Sequence, residues 1–216
     1  CWGSTFVVGT ARAGDEAPVP GPVAGVAGSS DIAAGAAPTC ALRSDGTVSC
    51  WGQNFVGQVG QGTATERELP AAVPGLSGVA KLAAGSFHTC AVKTDRTVWC
   101  WGLNDGGQLG DGTNDEQDSP VQVSGLTDAV GISAGTDHTC ALRAGGEVSC
   151  WGDGSAGKLR SAAADSNLPL AAARLPRAVA GSAGYGHTCA DGSAPTAGCR
   201  GSGRHRRHRR GPSSNC

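Results

Sequence analysis

The stretch "HTCAVKTDRTVWCWGLNDGGQLGDGT", residues 88–113, decides how this chain is read. Two cysteines, Cys90 and Cys100, stand ten positions apart around a polar turn, and Trp101-Gly102 then leads into a glycine-rich run. The same arrangement recurs as "PTCALRSDGTVSCWG" from Pro38, "HTCALRAGGEVSCWG" from His138 and "HTCADGSAPTAGCRG" from His187. The first three starts are 50 residues apart and the last follows after 49. Between the hairpins a second block repeats, "NFVGQVGQGT" from Asn54 against "NDGGQLGDGT" from Asn104, followed by Pro70 and Pro120 and then "VPGLSGVAKLAAG" against "VSGLTDAVGISAG". Spacing, residue type and order agree, so the chain is an internal repeat of about four units. "CWG" at residues 1–3 matches the end of an earlier unit, and the lack of any methionine implies that the natural N-terminus lies elsewhere.

Each unit holds short runs bounded by Gly, Pro or Asp. In one of them these are Val121 to Val123, Val130 to Ala134, His138 to Arg143 and Glu147 to Trp151. Four short antiparallel strands in a unit of this length describe a β-propeller blade, so the fold class expected is all-β. A β-solenoid is the alternative, though its repeat is usually shorter. With 36 glycines, 11 prolines and 4% aromatic residues, the composition argues against long amphipathic helices. No apolar run is long enough to cross a membrane as a helix.

At this point the sequence resembles a known family. "HTCAL..DGTV.CWG.N..GQLGDGT" followed by "P..V.GL..V" is similar to the regulator-of-chromosome-condensation repeat, over roughly residues 1–189. The resemblance implies a seven-bladed β-propeller, of which this chain would hold about four blades as a fragment. It also implies guanine-nucleotide exchange on a small GTPase. Secreted propellers of similar fold act as enzyme inhibitors of the β-lactamase-inhibitor kind, which is a further implied activity. The cysteine pair in each hairpin departs from the family pattern.

The cysteine interval follows from hairpin register. A three-residue turn at Ser44-Asp45-Gly46 places Arg43 opposite Thr47, Leu42 opposite Val48 and Cys40 opposite Cys50. The same register pairs Cys90 with Cys100 and Cys140 with Cys150, and Cys189 stands at the same distance from Cys199. Facing cysteines in a non-hydrogen-bonded pair have Cα atoms about 4.5 Å apart, at the short end of disulfide geometry. Disulfides at all four pairs place the protein in an oxidising setting: extracellular, periplasmic or at the cell surface. Gly46 suits the left-handed position that closes such a turn, and Arg96 in its place predicts a less comfortable second turn.

Metal binding through His88, Cys90 and Cys100, echoed at His138 and His187, is disfavoured. Zinc sites usually use a close cysteine pair, and the first unit has Pro38 in place of the histidine. A histidine hydrogen-bonded into a turn is the simpler reading. Trp2, Trp51, Trp101 and Trp151 follow the second cysteine and so face away from the disulfides, where they are expected to pack on a neighbouring blade. Trp99 breaks the pattern, with Ser49 and Ser149 as counterparts, and is the candidate binding anchor.

No catalytic constellation emerges, and the chain reads as a non-enzyme without a cofactor. "GISAG" at 131–135 matches a nucleophile-elbow pattern, but Ser133 occupies the place of Ala33 and Ala83 in a β repeat. The acids Asp111, Asp115, Glu116 and Asp118 fit no calcium-loop spacing. "GQLGDGT" lacks the lysine of a phosphate loop.

Residues 1–189 carry 11 Lys and Arg against 17 Asp and Glu, a net charge of −6, whereas the remainder carries six arginines against Asp191, a net +5. The domain is therefore expected over 1–189, with 190–216 a degenerate, disordered basic tail containing "GRHRRHRRG". Such a tail would bind nucleic acid only non-specifically. The same composition also arises from sequence read out of frame. The function expected is a protein-binding scaffold, its partner a protein engaged through loops.

Overall fold

The computed structural model describes residues 1, 3–4, 9, 16–17, 21–159, 165–172, 178–192 and 197–201. Trp2, Cys216 and the basic run 203–211 lie outside them. A short pair, β1 (Gly3–Ser4) and β2 (Glu16–Ala17), precedes the sheets. The first blade is β3 (Ser29–Ala34), β4 (Pro38–Arg43), β5 (Val48–Gly52) and β6 (Arg67–Ala72), in that order and antiparallel throughout. The second is β7 (Val79–Ala84), β8 (His88–Lys93), β9 (Val98–Gly102) and β10 (Gln117–Gln122). The third is β11 (Ala129–Ala134), β12 (His138–Arg143), β13 (Val148–Asp153) and β14 (Asp165–Ala171). Among the described residues the fourth shows three strands, β15 (Ala178–Ala183), β16 (His187–Gly192) and β17 (Ala197–Gly201).

Innermost strands contact one another in sequence, β3 with β7, β7 with β11 and β11 with β15, so the sheets radiate as propeller blades. Backbone bonds join them at the inner rim: Ala37 N donates to Ser86 O at 3.2 Å and Ser86 N to Thr136 O at 3.4 Å. The approach is close enough that a Cβ on Gly85 would lie 2.6 Å from the Gly135 carbonyl oxygen.

Two expectations move. The strand around Val121 does not open the third blade; β10 pairs with β9, Val121 against Cys100, as the outer edge of the second. A chain leaving β9 through a loop folds back on its own hairpin, and an outer edge tolerates Pro120, which has no amide proton to donate. The blade pattern also runs past residue 190, because β16 continues to Gly192 and pairs with β17, Thr188 facing Arg200.

The hairpin register is that of a three-residue turn. Leu42 faces Val48 and Cys40 faces Cys50, with the same pairs at Val92/Val98 and Leu142/Val148. Arg43 N donates to Thr47 O at 2.9 Å, and Gly46 closes the turn at φ +79°. Arg96 occupies the same left-handed region at φ +68°.

Candidate interaction surface

The seams between blades contain the molecule's core. Disulfides join Cys40 to Cys50, Cys90 to Cys100 and Cys140 to Cys150, each with Cα atoms 4.1 Å apart. None faces solvent. In the first seam Cys40, Cys50, Leu42 and Val48 meet Leu82, Ala91 and Trp101 of the second blade. In the second, Cys90, Cys100, Val92 and Val98 meet Ala141 and Trp151. Trp51, Trp101 and Trp151 are fully buried. Cys189 and Cys199 are register partners on facing strands, and the Cys199 side chain lies outside the described residues. Cys1 has a free thiol.

The glycine-rich loop after each third strand reaches across the seam. Asn104 shapes it: its Oδ1 accepts from Leu109 N at 2.9 Å, while Nδ2 donates to Thr113 O at 3.1 Å and Asp115 O at 3.0 Å. Leu109 is thereby driven into the core of the second seam. The Gln108 carbonyl accepts from two groups of the third blade, Thr139 Oγ1 and Trp151 Nε1, both at 2.9 Å. One seam earlier, the Gln58 carbonyl accepts from Thr89 Oγ1 at 2.9 Å and Trp101 Nε1 at 3.0 Å. The chain lies so close to the indole that a Cβ on Gly110 would stand 2.6 Å from Trp151 Nε1.

The histidines bond across seams rather than into turns. His88 Nε2 lies 2.9 Å from Thr139 Oγ1, and His138 Nε2 lies 2.9 Å from Thr188 Oγ1. Thr139 spends its proton on the Gln108 carbonyl, which can only accept, so His88 Nε2 is the donor and Nδ1 is bare. Burial pushes the His88 pKa down to about 3, with a smaller push from His138. Burial also lowers His138 to about 4, assisted by Lys158. Both rings are neutral scaffold groups. Among the described residues no group of three His, Cys, Asp or Glu is placed to hold a metal ion. A signal for the cross-seam bond was present in the sequence: Thr follows the first position of all four hairpins, even where Pro38 replaces the histidine.

Other candidates take scaffold positions. Ser133 Oγ accepts from Ala183 N at 2.6 Å across the third seam. That seam is loosely filled, because Gly181 stands where Leu82 and Ile132 stand in the preceding blades, and a cavity of about 220 Å³ opens beside Ile132, Leu142 and Val179. Asp111 accepts from Thr113 N at 2.9 Å within its own loop. Trp99 is half-buried against the first seam, donates from Nε1 to Thr97 Oγ1 at 3.2 Å, and lies beneath Lys93 Nζ, 5.5 Å from the ring centroid.

Phe55 is one of several exposed large apolar side chains, Val179 and Tyr185 among them, and it lies at the end of the blades where the glycine-rich loops emerge. Phe55 and Phe87 pack there with ring centroids 5.4 Å apart, and Phe55 is 53% exposed. At the equivalent positions of the next seam stand Asp105 and Asp137. Partial burial raises the Asp137 pKa; Asp153 and Asp105 push the same way and Lys158 opposes them. Lys158 itself pairs with Asp153 at 2.5 Å. Sequence reasoning missed the Phe55–Phe87 contact, since the two residues come from different blades and only the fold brings them together.

These features define a β-propeller protein whose blades are stapled by hairpin disulfides. The chain belongs to the regulator of chromosome condensation (RCC1) repeat family: one model of that repeat matches residues 45–92 and 95–142, and a second matches 30–58, 79–108 and 129–158. Among solved structures it is similar to yeast RCC1 (Prp20) in complex with Kap60, with 23% identity over 79% of this chain and 43% of that one and a TM-score of 0.69. Human WBSCR16 is similar at 19% identity over 75% and 44% of the two chains, with a TM-score of 0.68. The ectodomain of a Physcomitrella patens receptor kinase follows at 21% identity over 85% and 44%, with a TM-score of 0.56. The chain thus spans less than half the length of each. No curated protein sequence matches it significantly.

Proposed function

We propose that this protein is an interaction module of an oxidising compartment, extracellular, periplasmic or cell-surface, and not an enzyme. The observation that carries the reading is the use made of the repeat's own chemistry. Its cysteines, histidines, threonines and tryptophans are consumed in the seams, so the loops are what is left to meet a partner. The three disulfides support the compartment, since such pairs do not persist among cytosolic thiols. Trp99 is a secondary candidate contact.

A second reading is favoured by the likeness to yeast Prp20, described for its binding to Gsp1p and histones: nucleotide exchange on a small GTPase, as the family implies. Alkylating the protein in its own cells before lysis tests the compartment. Linked Cys40–Cys50, Cys90–Cys100 and Cys140–Cys150 peptides are expected, and free thiols at these positions would overturn it. Cross-linking the oxidised chain to the proteins around it is expected to trap a protein through loops 53–66 or 103–116. Accelerated GDP release from a small GTPase would replace this reading with exchange.

A further inference from the structure

The two ends of the blades differ in charge. At the loop end the second blade carries Asp105, Asp111, Asp115, Glu116 and Asp118, with no lysine or arginine between residues 103 and 122. At the turn end the signs are mixed: Lys93, Asp95 and Arg96 share one turn, and Arg143 Nε pairs with Asp128 at 2.8 Å. The loop end of the second blade therefore presents a negative field beside exposed Phe55 and half-buried Phe87, and on the first blade Arg67 stands between Glu66 and Glu68.

Phe55 also works against the scaffold that holds it. In the second blade Asp105 Oδ1 accepts from Gly106 N at 2.8 Å and from Gln108 Nε2 at 3.3 Å. In the first blade phenylalanine takes that place, and the fully buried Gln58 has an Nε2 with no hydrogen-bond partner. One position therefore costs the fold a hydrogen bond and exposes a phenyl ring to water, two losses that a partner would offset. One of the acids lies against the same loop: Gly62 N donates to the Asp118 carbonyl oxygen at 2.8 Å, and a Cβ on Gly57 would run into Asp118.

We propose that the loop end of the first and second blades is a docking face for a basic polypeptide segment that carries one large apolar side chain. That side chain sits on Phe55 and Phe87, and flanking lysines or arginines face the acids of residues 105–118. The proposal rests on the interaction-module reading and names the chemistry of its partner. Charge complementarity selects a cation, and the ring pair selects against a purely charged ligand while attracting ammonium and guanidinium groups to its faces. The chain's own "GRHRRHRRG", residues 203–211, meets the charge requirement alone because it has no apolar side chain.

The test uses the full oxidised chain and isothermal titration with a short synthetic peptide in which lysines flank one tryptophan. Its controls replace the tryptophan by alanine or every lysine by glutamate. The tryptophan peptide should bind, the alanine peptide roughly tenfold more weakly, and the glutamate peptide not at all. Phe55→Asp installs the residue of the next blade and returns an acceptor to Gln58. It should hold or raise Tm while weakening the tryptophan peptide roughly tenfold. Asp118→Asn should weaken both cationic peptides and reduce their salt dependence. Equal affinity for the tryptophan and alanine peptides, or unchanged binding by Phe55→Asp, overturns the proposal. A chain that ignores all three peptides yet cross-links to a protein through other loops removes this docking face and leaves the interaction module standing.

Discussion

Arg96 is the residue at which the repeat departs most plainly from local preference. Its counterparts Gly46 and Gly146 adopt φ +79° and +87° without a Cβ, whereas Arg96 adopts φ +68° with one. The fold holds it there, since the Arg96 carbonyl accepts from Ala129 N of the third blade at 3.1 Å, as Gly46 accepts from Val79 N. A left-handed non-glycine residue costs about 1–2 kcal/mol, and glycine gives back about 0.5–1 kcal/mol through the freer unfolded chain. Arg96→Gly is therefore expected to stabilise by about 0.5–1 kcal/mol, read as a higher urea midpoint at unchanged m-value. The strain was legible in the sequence because the three turns could be compared. The tertiary bond that sustains it was not.

Among elements, the hairpin was the most legible. Facing positions with a constant sum brought cysteine to cysteine and apolar to apolar, and a one-residue slip would have turned both pairs out of the seam. The glycine-rich loop was legible only as a repeat. Its role is to carry Leu109 and the Gln108 carbonyl into the next blade, which periodicity within one unit cannot show. Gly110→Ala tests that fit, since the new methyl would meet Trp151 and the backbone lies at φ +70°. A loss of roughly 2–4 kcal/mol is expected from overpacking and backbone strain together. Thermal unfolding should register it as a fall of several degrees in Tm, and an unchanged Tm would show that the loop does not seat against the indole.

For the molecule as a whole, stability resides in the seams, where each of the first two disulfides packs against apolar side chains and a tryptophan of the next blade. Closing about ten residues contributes about 2.7 kcal/mol on the chain-entropy model. Cys90→Ala with Cys100→Ala removes this and also leaves a void in the second seam. Its Tm should fall further than that of a blade stapled only at its surface, and an unchanged Tm would place the stabilisation elsewhere. The seams also make the fold sensitive to acid. In the unfolded chain His88 and His138 take up a proton near pH 6.5, whereas folded they stay neutral to about 3 and about 4. Between those values the unfolded state binds more protons, so stability is full above pH 6.5 and declines as pH falls. Each buried histidine would withdraw about 2 kcal/mol by pH 5. Urea midpoints at pH 7 and pH 5 check it, and a flat profile would mean that these rings are not buried and neutral.

By itself the sequence determined the repeat, the hairpin register and the cysteine pairing, because these depend on residues near one another in the chain and on period-two alternation. It also determined that Trp51, Trp101 and Trp151 face away from the disulfide of their own hairpin. Only the tertiary structure decided which blade each outer strand joins, that histidine bonds to a threonine 51 residues on, and that Phe55 meets Phe87. The last two contacts link different blades. Their geometry follows from how the blades stack around a common axis, and no pattern inside a single unit encodes it.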